Sequence, residues 1–120
     1  MTTATELMAA GIAAGPATML GGPSATGLVA TGTTKATALV IAAAVNVFAT
    51  VSSSKGALLP SATGSPIVAI YNGGANALSV YAAGTDTINA GSAGAAFSVT
   101  NAKSATFIAA GNKWVANLSA

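Results

Sequence analysis

The chain contains no cysteine, no histidine and no arginine among its 120 residues. Without cysteine there is no disulfide frame and no thiol chemistry. Without histidine the commonest metal ligand and general base are missing, and without arginine so is the guanidinium fork that grips phosphate. Charge is scarce too: Glu6 and Asp86 stand against Lys35, Lys55, Lys103 and Lys113, for a formal net charge of +2. Four scattered lysines do not make the concentrated basic face of a nucleic-acid binder. Serine and threonine are plentiful, but no base is placed to activate their hydroxyls. These absences argue against an enzyme, against a resident cofactor or metal, and against a nucleic-acid partner.

What is present is small and apolar. Ala, Thr, Gly and Ser supply 71 of the 120 residues, and the mean hydropathy is +0.69. Low net charge is the opposite of what keeps a chain disordered. It also leaves little repulsion between copies, so assembly into something larger is expected.

The uncharged stretch 36–54 lies between Lys35 and Lys55. Its apolar part is 16 residues and includes Asn46, short of the roughly 20 residues of a helical membrane span. Its Val, Ile, Phe and Thr favour strands. A small membrane-associated protein is therefore an alternative reading, not the main one. The start of the chain carries Glu6 and no basic residue, and Gly11, Gly15 and Pro16 interrupt its apolar run, so it does not read as a secretory signal.

Three regions follow from the pattern. Residues 1–22 are the helical or extended N-terminal arm: Thr3 to Glu6 fits a capping box, Leu7, Met8 and Ile12 share a stripe, and Gly15-Pro16 stops it. A second short turn spans Pro16 to Leu20. Helices this short are marginal alone, so Leu7, Met8, Ile12, Met19 and Leu20 are the candidate contact with a partner or a neighbouring subunit. Residues 23–34 read as a connector punctuated by Pro23, Gly27 and Gly32, with an extended arm possible through Leu28 and Val29.

Residues 35–120 read as short strands and turns, which predicts a mainly β domain, an antiparallel β-sandwich or jelly-roll-like barrel. Strands are expected near 37–41, 45–51, 66–71, 77–82, 87–89, 95–100, 105–109 and 114–118. In the second of these Val45, Val47, Ala49 and Val51 line one face against Asn46, Phe48 and Thr50. Asn72-Gly73-Gly74-Ala75-Asn76 supplies residues tolerant of positive φ, so 66–71 and 77–82 are expected to pair as a hairpin. The bulky core is expected from Leu39, Ile41, Val45, Val47, Ile67, Ile70, Val80, Ile88, Phe97, Val99, Phe107 and Trp114. Many strand edges call for burial between subunits.

Other features have plain readings. Asp86 with Asn89 could suggest a calcium pair, but two carboxylates in the whole chain are too few, and Asp86 reads as a turn residue bonding its own backbone amides. Tyr71, Tyr81 and Trp114 could stack a sugar, although aromatics on separate strands more often serve the core or an interface. Gly21-Gly22 and Gly73-Gly74 lack the lysine and helix of a phosphate loop.

From residue 66 to the end the chain reads PIVAIYNGGANALSVYAAGTDTINAGSAGAAFSVTNAKSATFIAAGNKWVANLSA. The ordered set Tyr71-Asn72, a Gly-Ala-Asn-Ala turn, Val80-Tyr81, Asp86-Thr87-Ile88-Asn89, Phe97-Ser98-Val99, Lys103 to Ile108 and a late Trp resembles a module of tailed-bacteriophage virion proteins. Gly32 to Leu39 and Val45 to Phe48 fit the same pattern, so the resemblance covers about the last 90 residues. The opening 4–15 is similar to the short helical leader of such proteins. The resemblance implies a capsid decoration (cement) protein, a β-sandwich homotrimer on the capsid surface of the virion, with the major capsid protein as partner. A tail or neck fibre module binding a host receptor is the alternative within the same setting.

Overall fold

The computed structural model of the chain describes residues 24–63 and 67–119, and these are mainly β. Ten strands form: β1 Ser24–Val29, β2 Leu39–Val40, β3 Val45–Thr50, β4 Gly56–Leu58, β5 Ile67–Asn72, β6 Leu78–Tyr81, β7 Thr87–Ile88, β8 Phe97–Val99, β9 Ser104–Ala110 and β10 Lys113–Leu118. The single helical element among the described residues is a 3-10 turn at Lys35–Thr37, closed by reciprocal bonds between Thr34 and Thr37. The expected strand at 37–41 is thereby cut to two residues. The arm expected through Leu28 and Val29 is the second half of β1, which opens the larger sheet.

Two sheets share the strands, one in the order β1-β3-β5-β9-β10-β7 and one in the order β2-β4-β6-β8. The chain crosses from the first sheet to the second four times, as β1 to β2, β3 to β4, β5 to β6 and β7 to β8, and the first three crossings stack parallel, each on the one before. Ser24 thus faces Val45, which in turn faces Ala69, about one coil of chain later each time. The arches stack like coils of a solenoid. The final stretch runs the other way: β8 lies antiparallel on β6, β9 antiparallel on β5, and β10 folds back on β9 through the Gly111-Asn112 turn. Gly111 takes φ +70° there, as a two-residue hairpin turn requires.

This corrects the antiparallel expectation, because five of the eight strand pairings are parallel and no clear sandwich forms. It also removes the hairpin expected between 66–71 and 77–82. β5 and β6 lie in different sheets, and the turn between them is an arch. Neither Gly73 nor Gly74 has a positive φ. They are glycines because the arch lies tight on its neighbour: a Cβ on Gly73 would sit 2.9 Å from the Phe48 carbonyl oxygen, and one on Gly74 would sit 2.7 Å from Val51 Cβ. Close approach of backbones, rather than turn handedness, selects glycine here.

One apolar cluster joins both sheets, with Phe48, Leu59, Leu78, Val80, Val99, Phe107 and Trp114 wholly enclosed. Phe97 packs edge-on to Phe107 with ring centroids 5.6 Å apart, a favoured aromatic geometry. The face of β3 is the reverse of the expected one. Asn46 and Phe48 are buried, while Val45 and Val47 are half-buried on the outer side. A phenyl ring removes more apolar area from water than a valine, and Asn46 can go in with it because its amide finds partners. Leu39 and Phe97, also expected in the core, are half-buried at its margin, and Ile67, expected there too, is half-buried on the outer face of the first sheet.

Candidate functional site

The residues singled out as a partner contact, Leu7, Met8, Ile12, Met19 and Leu20, lie outside the described residues. Within them, polar side chains fall into two groups, those that hold the arches and those left on the surface.

Asn72 ends β5 and is fully buried. Its Nδ2 donates to the Asn76 and Val99 carbonyls, each at 2.8 Å, and its Oδ1 accepts from the Gly74 amide at 2.9 Å. One side chain therefore closes its own arch and ties β8 of the reversed segment to it. The Asn72 backbone repeats the tie, donating to the Lys103 carbonyl and accepting from the Ala102 amide. Asn76 Nδ2 donates to the Val51 carbonyl, one arch earlier. Asn46 does comparable work at the other end of the strands, donating to the Ala43 and Ala69 carbonyls.

Asp86 is buried, and its carboxylate accepts from the Ala62 amide at 2.9 Å. The expected bond to its own turn is replaced by a bridge between two loops. Asn89 is separate from it: its side chain exchanges two bonds with the Ala116 backbone, extending the β7 to β10 ladder with an amide in place of a peptide. Lys35 Nζ donates to the Gly84 carbonyl, so this lysine is engaged within the chain. Among the described residues no group of three acidic, histidine or cysteine side chains could hold a metal ion. None of them forms a helix long and apolar enough to cross a membrane; residues 36–54 make β2, β3 and their turns.

The three aromatics considered for stacking are not brought together. Trp114 is enclosed in the core, Tyr81 is half-buried on β6, and Tyr71 is exposed on the outer face of the first sheet. Tyr71 does have apolar company there. Strand register sets out three rows across that face: Val47, Tyr71 and Ser104; Val45, Ala69, Thr106 and Asn117; Ile67, Ile108 and Val115. Tyr71, Ile108 and Val115 each keep 42% of their surface exposed. Across β3, β5, β9 and β10 the single charged residue is Lys113. Contiguous apolar surface of this kind marks an interaction face. Sequence reasoning named Val45, Val47 and Ile67 as core and Tyr71 as core or interface, and did not single out Ile108 or Val115 for either; the usable signal was alternation in β9 and β10, where those two must point away from a sheet face occupied by Phe107 and Trp114.

Comparison with protein-family models, with curated proteins and with solved structures gave no match.

Proposed function

We propose that this protein is a structural component of a tailed-bacteriophage virion that decorates the capsid and adds binding energy between coat subunits, with no catalytic step. The observation that carries the reading is the ordered series from Tyr71-Asn72 to Trp114, which resembles virion modules and spans β5 to β10. The scarcity of charge supports it, since attachment then rests on apolar burial and backbone hydrogen bonds rather than on ion pairs. An oligomer of the chain offers one patch to several coat subunits, so modest contacts multiply once all can engage together. Leu7, Met8, Ile12, Met19 and Leu20 are the proposed clamp on the major capsid protein.

Copy number in purified particles tests the role. Decoration requires a stained band comparable with that of the coat protein. A receptor-binding fibre module is the second reading, favoured by the parallel stacking of arches, which one more coil could extend at β1 and β2; a faint band would select it. Attachment chemistry is tested by washing decorated particles in high salt, which screens charges and leaves apolar burial intact. Retention is expected, and release would move the attachment to the lysines. Replacing Leu7, Met8 and Ile12 together by Ser should sharply lower capsid occupancy, and unchanged occupancy would move the clamp to the β body.

A further inference from the structure

Four strand edges and the outer faces of both sheets are open to a second molecule among the described residues; that of the second sheet has one apolar row, Val40, Leu58 and Tyr81, on strands of two to four residues. The edges are poor templates. β1 is bent by register shifts on both sides of Leu28, with Gly27 at φ +67°. β2 and β7 have two residues each and β8 has three, and beyond β7 the Asn89 amide already occupies the backbone of Ala116. Short and bulged edges are how β proteins resist edge pairing. The outer face of the first sheet carries no such protection. Its strands are up to seven residues long, regularly paired and uncharged but for Lys113 at one end.

We infer that this face binds a second copy of the chain, face to face about a two-fold axis, with the ridge Ile67, Ile108 and Val115 of each copy seated on the lower row Ala69, Thr106 and Asn117 of the other. The relief of the surface selects this partner. Neighbouring rows on a strand are about 6.6 Å apart, so an axis lying across the strands, midway between the ridge and the lower row, exchanges them and fits both ridges at once. Each strand then crosses its own copy, and Thr106 of one β9 lies over Ile108 of the other. A surface whose ridge fits its own lower row needs no second protein, and the near absence of charge removes the repulsion that would keep two copies apart. Four strands by five residues cover about 20 by about 17 Å. That is below the area of a permanent dimer, so the pairing is reversible, with a Kd on the order of 100 µM. The inference rests on this face alone, and its two-fold pairing differs from the trimer that the virion resemblance implies, so the limiting oligomer tells the two apart.

Sedimentation of the full chain across a concentration series reads it directly, with a dimer as the expected limit. Ile108→Lys and Thr106→Glu each place one charge on an outward side chain, so both should keep the β spectrum and thermal transition while raising the Kd about tenfold or more. Mixing the two variants should restore dimer near the unmodified level, because in the mixed pair the introduced Lys lies over the introduced Glu and the other crossing is unaltered. A chain that stays monomeric at about 1 mM, well above the expected Kd, overturns the inference and leaves the face to another occupant, such as residues 1–23 or a coat subunit. A limiting trimer overturns it as well. So does a dimer that both folded single variants form as readily as the unmodified chain, or a mixture of variants that fails to pair.

Discussion

The three forward arches, 24–81, and the reversed segment, 97–118, meet the same problem of holding short strands in two sheets, and they solve it differently. The arches are fastened by polar side chains at their corners. Asn46, Asn72 and Asn76 reach carbonyls on adjacent strands or arches, and Gly73 and Gly74 let the corners lie close. The reversed segment has no comparable amide in its interior and is held by bulk: Phe97, Phe107 and Trp114 fill the space between the sheets. Trp114 shows how strongly bulk dominates there. Its indole Nε1 is buried with no hydrogen-bond partner, which costs roughly 1–3 kcal/mol. Burying about 200 Å² of aromatic surface returns about 5 kcal/mol, so the ring stays inside. Parallel neighbours repeat one corner after another and reward a residue that can bond two backbones. Antiparallel neighbours close by a hairpin and leave the interior free for large rings.

The contrast can be broken at its heaviest point first. Trp114→Ala should destabilise the protein by about 3–5 kcal/mol through lost burial and the cavity left behind. Urea unfolding followed by circular dichroism checks this, and a single cooperative transition is expected because both sheets share one core. Two separated transitions would mean that the arches stand without the reversed segment.

Asn72→Ala should follow at about 2–4 kcal/mol, since it strands two carbonyls and the Gly74 amide in a buried corner. Asn46→Ala, with two bonds to lose, should cost less than Asn72→Ala in the same titration; the reverse order would deny the special place of the corner shared with β8. Gly74→Ala should destabilise by about 1–3 kcal/mol, because the added methyl overlaps Val51 and two arches must separate. A neutral result in a thermal melt would show that the arches are loosely stacked. The smallest effect is expected for Asp86→Ala, about 1–2 kcal/mol for one unpaired amide at Ala62. Hydrogen exchange should show it as lost protection at Ala62, with little change in β3 or β9.

Much of the strand content was legible from the residues. Apolar runs broken by Gly, Asn and Ser marked β3, β5, β6, β9 and β10 to within about two residues. The direction in which they pair was not legible. A five-residue turn rich in glycine and asparagine suits a hairpin and an arch alike, and only contacts with Phe48, Val51 and Val99, distant in sequence, select the arch. The face of β3 was misread for a similar reason: asparagine looks outward until a carbonyl 23 positions away is brought beside it. Asp86 was recognised as structural while its partner, Ala62, was not.

By itself the sequence determined that this is a small, nearly uncharged, mainly β chain without cysteine, histidine or arginine, because composition and short-range alternation act within a few residues. Only the tertiary structure decided that the strands stack as parallel arches, that Asn46 and Asn72 belong inside, and that Ile108, Val115 and Tyr71 share one open face. Each of those outcomes depends on which backbone groups and side chains arrive from far along the chain, and local preference carries no record of that.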